Sequence, residues 1–211
     1  MHNITLICTR HKETGVCNSA ELRKIIEEYQ PEIIFEELAP TTYDACYEYN
    51  CWGLTSMTTL ETDAIKVYRQ YYDVKHIPAL SAEMQNDLRS MHRIVANHSL
   101  DALTDNLNSL LRIHGFQFLN SDEWEQRMDE LQALEKSLLK DEEVFLRACQ
   151  CVDNYEYDML ENIYQYSAEN EYNNALMFIG AAHRKTITKK IREYQNKHGL
   201  KLNWLFYNGG K

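Results

Sequence analysis

Several things are missing from this chain of 211 residues, and each absence removes a class of protein. No apolar run approaches the roughly 20 residues that a membrane-spanning helix needs, so no membrane is expected. No basic stretch leads into an apolar core at the N-terminus, so no secretory leader is read there and a cytoplasmic location is expected. Positive charge is in short supply: 22 Lys and Arg face 32 Asp and Glu, a formal net charge of −10. Nucleic acid, whose phosphates such a chain would repel, is therefore not an expected partner. There is no GK[ST] loop, no G-x-G-x-x-G after the first strand and no G-x-S-x-G elbow, so nucleotide binding and serine-hydrolase chemistry gain no support. Six cysteines are present, but Cys149 and Cys151 have no matching second pair, so all six read as free thiols. Repeats and low-complexity linkers are absent too.

What is there reads as an α/β protein. Five short apolar segments, "ITLICT" (4–9), "EIIFEEL" (32–38), "VKHIPAL" (74–80), "NALMFIG" (174–180) and "KLNWLFY" (201–207), are mostly continuous rather than alternating. That pattern suits strands covered on both faces, as in a mostly parallel central sheet. Helical spacing separates them. Asn18 and Glu21 form a capping pair ahead of Leu22, Ile25, Ile26 and Tyr29, and Pro31 stops that helix. Ile187, Ile191 and Tyr194 mark another, ended by Gly199. The expected domain plan is an α/β core from 1–83 and 174–211, with 84–173 as a helical insertion capping it. Trp124, Met128, Leu131 and Leu138 share one helical face in that insertion, and its tyrosines (155, 157, 164, 166, 172) read as packing residues. Residues 121–171 hold fifteen acidic against four basic residues, while 183–211 hold eight basic against one acidic.

The strand ends carry the chemistry. The first runs into Arg10 and His11, the second into Glu36 and Glu37, the third into Ser81 and Glu83, and the fourth through Gly180 to His183 and Arg184. In a parallel sheet these carboxyl ends line one edge, where open α/β sheets bind ligands. Two imidazoles and several carboxylates suit a divalent metal such as zinc, manganese, iron or cobalt, with His11, Glu37, His183 and Glu83 as expected ligands. Such a metal would make hydroxide available near neutral pH. The same residues without a metal suit acid–base work, with Arg10 or Arg184 stabilising an oxyanion. Glu36 and Glu37, adjacent in a strand, point to opposite faces. His92, His98 and His114 show no ligand-like partner, His76 lies within the third strand, and His2 sits at a mobile end.

The pieces "CTRHKETG" (8–15), "PEIIFEEL" (31–38) and "IGAAHRKTI" (179–187) resemble the TraB/PrgY–TIKI–erythromycin esterase–ChaN superfamily, with its Gly-x-x-His motifs after strands. The second motif is complete; in the first, Cys8 stands where glycine is usual. The resemblance covers the α/β core and implies His11, Glu36 or Glu37, and His183 as metal-site or catalytic residues, with Arg10 and Arg184 nearby. Its members cleave peptides, hydrolyse a macrolide ester, bind haem or iron, or shut down a pheromone. The expected function is a metal-dependent hydrolase of an ester or amide bond in a small-molecule or peptide substrate. The alternatives are a haem, iron or small-ligand binder, and an interaction protein using the acidic insertion.

Overall fold

Strands β1 (Asn3–Thr9), β2 (Ile33–Glu36), β3 (Lys75–Pro78), β4 (Asn174–Gly180) and β5 (Asn203–Phe206) form one sheet in the order β3-β2-β4-β1-β5. Every pairing is parallel. This computed structural model describes residues 2–48, 59–82, 98–139, 142–197 and 199–209. Around the sheet run α1 (Ser19–Tyr29), α2 (Pro40–Tyr43, continuing as a π-helical turn over Asp44–Glu48), α3 (Leu60–Arg69), α4 (His98–Leu119), α5 (Asp122–Leu138), α6 (Glu142–Glu169) and α7 (Arg184–Lys197). The chain is an α/β fold, as its continuous apolar strands imply. None of these helices is long and apolar enough to cross a membrane.

The strand order explains how the site is gathered. β4 is inserted between β1 and β2, so that Thr9 pairs with Gly180 and Glu36 with Phe178. The Gly180–His183 turn thereby lies between the ends of β1 and β2. Central β1 and β4 are buried almost throughout, while the edge strands β3 and β5 are shorter and more exposed. Covered faces on both sides account for the apolar runs in the centre.

Local sequence sets the helix ends. Asn18 caps α1 by accepting from the Glu21 N–H at 2.9 Å. Gln30 then adopts a left-handed conformation (φ 46°) and closes the helix ahead of Pro31. The described part of the central segment is helical, and its buried side chains join the core of the sheet. Met159, Leu160, Ile163 and Tyr164 of α6 are fully buried there. Tyr166 of the same helix meets the Phe35 ring of β2 edge-on at 5.5 Å. Each such buried apolar side chain contributes about 1.5–3 kcal/mol, so α6 is a structural wall of the sheet as well as a support for the site. His2 is buried rather than mobile: its Nδ1–H donates to the Tyr172 carbonyl at 2.7 Å, with the rings 4.2 Å apart.

Candidate functional site

His183 follows β4 on a short 3-10 turn (Ala181–His183) that leads into α7. Its Nδ1–H donates to Glu156 Oε1 at 2.8 Å, and its Nε2 stands 3.6 Å from Glu37 Oε1. Glu156 belongs to α6 and is fully buried. That carboxylate also accepts from Thr186 Oγ1 at 2.5 Å and from Lys190 Nζ at 2.6 Å, and Lys190 donates in addition to Asp153 Oδ1 at 2.6 Å. A buried charge so fully paired holds its partners in place. The imidazole is therefore fixed at one nitrogen and turned towards Glu37 at the other.

Glu37 closes the opposite side. Its Oε2 accepts from the Gly180 N–H at 2.5 Å and its Oε1 from the Tyr155 hydroxyl at 3.1 Å. The Tyr155 ring lies over His183 at 5.7 Å. The glycine has a reason here: a Cβ at Gly180 would come within 3.3 Å of Glu37 Oε2. Burial pulls the His183 pKa down. The Glu156 hydrogen bond and the charges of Glu37 and Glu156 outweigh that pull, against Lys190, and leave the imidazole above its ordinary value.

The other expected residues have partners of their own. Glu36 faces away from Glu37 and accepts at its Oε2 from Tyr47 Oη and from His76 Nε2, both at 2.8 Å. His76 thus has a carboxylate partner that its place inside a strand concealed. His11 is 69% exposed, with Nδ1 3.7 Å from Oε1 of buried Glu61. The Glu61 side chain raises its pKa against the effect of burial, and the charges of Glu61, Glu37 and Glu36 add to the rise. Arg10 donates to Asn108 Oδ1 at 2.9 Å, and Arg184 donates to Glu125 and to the Asn120 carbonyl. Both arginines are therefore tied to α4, α5 and the turn between them. Glu83 and His92 lie outside the described residues.

The three expected metal ligands that lie within the described residues each have another partner. His183 Nδ1 is taken by Glu156, Glu37 by Gly180 and Tyr155, and His11 stands at Glu61. Among the described residues no three His, Cys, Asp or Glu side chains gather as a metal would need. Among the described residues these groups are engaged with one another, and Nε2 of His183 is left facing Glu37.

Cys8 sits in ordinary extended strand. β5 pairs with β1 only as far as Leu6. Beyond it the Asn120 side chain takes over the ladder, accepting from the Cys8 N–H at 2.8 Å and donating to the Cys8 carbonyl at 3.0 Å. Burial pushes the Cys8 thiol up to about 12, so it packs as a neutral group and is no nucleophile.

The residues missed by sequence reading share a signal. Glu61 falls on the buried face of α3 with Ala64, Ile65 and Tyr68; Glu156 on that of α6 with Met159, Leu160 and Ile163; Lys190 on that of α7 with Ile187 and Ile191. A charged residue within an apolar helical stripe marks a buried charge in need of a partner.

No family model matches the chain, and no curated protein matches it. Among solved structures it is similar to a mutant erythromycin esterase in its open conformation, at 15% identity and a TM-score of 0.30 over 97% of this chain. The chain spans 60% of the length of that protein. So distant a likeness leaves the chemistry to be read from this chain's own residues.

Proposed function

We propose that the protein is a hydrolase of ester or amide bonds that works by proton transfer through His183. The observation that carries this reading is the pair of contacts on one ring, Nδ1 held by buried Glu156 at 2.8 Å and Nε2 3.6 Å from Glu37. A hydrogen bond at Nδ1 fixes the tautomer and orientation of the imidazole. Nε2 lies beyond hydrogen-bond reach of Glu37, so its lone pair, when the ring is neutral, is available to a water molecule. His183 takes a proton from that water as its oxygen attacks the carbonyl carbon. The carbon–oxygen or carbon–nitrogen bond to the leaving group then breaks, and the leaving group receives a proton. Glu156 and Glu37 stabilise the imidazolium between those events. The position at the carboxyl ends of β2 and β4 agrees with where open parallel sheets place ligands. The test is hydrolysis of p-nitrophenyl acetate. His183→Gln is expected to lower kcat/KM by about 10²–10⁴-fold while the protein stays folded, and an unchanged rate would remove the proposal.

A further inference from the structure

Four buried side-chain atoms among the described residues have no hydrogen-bond partner: Arg23 Nε, Glu61 Oε2, His76 Nδ1 and Thr188 Oγ1. Only Glu61 Oε2 is an anionic acceptor. Glu61 lies in the first turn of α3, which Thr59 caps through the Thr62 N–H. Its side chain is 5% exposed. One oxygen, Oε1, accepts from Thr9 Oγ1 at 2.7 Å; the other has nothing. Burying a carboxylate oxygen without a donor is unfavourable, and such acceptors are nearly always satisfied in folded proteins. Among the described residues no donor meets it, and His11 is the side chain that stands beside this carboxylate. Its Nδ1 is 3.7 Å from Oε1, beyond hydrogen-bond reach, and its ring is largely exposed. The backbone beneath is fixed, since the His11 carbonyl accepts from the Leu60 N–H at 3.0 Å. His11 is thus an exposed side chain beside a carboxylate that Thr9 holds from the other side.

The charges that act on it are carboxylates, Glu61, Glu37 and Glu36; of the cations that flank it in the chain, Arg10 is engaged by Asn108 and Lys12 is exposed. We propose that Glu61, with Thr9 beneath it and His11 as its cover, is a subsite for a substrate ammonium group, whose N–H supplies the donor that Glu61 Oε2 lacks. This rests on the hydrolase reading and narrows it to amine-bearing esters or amides. A cation is favoured over a neutral hydroxyl because it both donates and offsets the carboxylates.

Three nearly isosteric esters separate the possibilities: glycine ethyl ester, ethyl glycolate and ethyl propionate, carrying an ammonium, a hydroxyl and a methyl at the same place. Because the three differ in intrinsic reactivity, the readout is the ratio of their kcat/KM values in wild type against that in Glu61→Gln. The ammonium-to-methyl ratio is expected to fall at least about tenfold on substitution, the loss of one charge-assisted contact. An unchanged ratio, or an equal fall for ethyl glycolate, overturns the assignment. Binding is followed separately with wild-type protein, where folding of the variant is not at issue. Ethanolamine should shift the backbone amide resonances of Thr9 and His11 at concentrations where 1-propanol does not; equal responses would mean that a buried water supplies the donor and the subsite is not there. If no ester turns over, the hydrolase reading fails, while the ethanolamine titration still decides the subsite.

Discussion

At the scale of single residues, the site is one imidazole between two carboxylates with a lysine behind them. The signs of its neighbours give a direct prediction. Lys190 opposes protonation of His183 and Glu156 favours it, so Lys190→Met should raise the pH at which His183 titrates and Glu156→Gln should lower it. Imidazole resonances followed by NMR across pH 5 to 9 would report both shifts; movement of both in one direction would contradict the arrangement. Much of this was hidden in the sequence. His183 and Glu37 announce themselves at strand ends, whereas Glu156 sits in the long acidic helix where one glutamate among many looks solvated. Only its spacing from Met159, Leu160 and Ile163 shows that it faces the core. His11, by contrast, looks the equal of His183 in sequence, yet it ends on an exposed turn beside a carboxylate from α3, a partner no motif names.

At the scale of elements, strand topology does the assembling. All five strands are legible in the sequence: burial on both faces makes the central ones continuous apolar runs, and the edge strands β3 and β5 are short apolar segments that stay partly exposed. Their order is not: nothing local to "NALMFIG" says that it slides between β1 and β2, which is a property of the crossover through α6. The same holds for Asn120. In sequence it is a polar residue in a helical region; in the fold it completes the β1 ladder where β5 stops, and its carbonyl holds Arg184. Asn120→Ala would leave a buried Cys8 N–H and carbonyl unpaired. The expected cost is about 3 kcal/mol, from roughly 1–3 kcal/mol for each unsatisfied group, read as a fall in the free energy of urea unfolding. A loss below about 0.5 kcal/mol would show that water replaces the side chain without penalty.

At the scale of the whole molecule, the raised His183 couples stability to pH. Its folded pKa lies above the unfolded value of about 6.5. Its contribution is therefore fully present below about pH 6.5 and is lost as pH rises through the folded pKa. Wild type should lose stability relative to His183→Gln over that window, seen as converging melting temperatures; a gap that widens with rising pH would contradict it. Hydrolysis should follow the opposite course, because only the neutral imidazole accepts a proton from water. Whether His183 moves the proton is read most directly from the pH dependence of kcat/KM for p-nitrophenyl acetate, in wild type and Glu156→Gln. In wild type the rate should rise with pH through a midpoint above 6.5, and in the variant that midpoint should move to lower pH. A profile that is flat, or whose midpoint stays fixed when Glu156 loses its charge, would show that the histidine held by Glu156 is not the group that moves the proton.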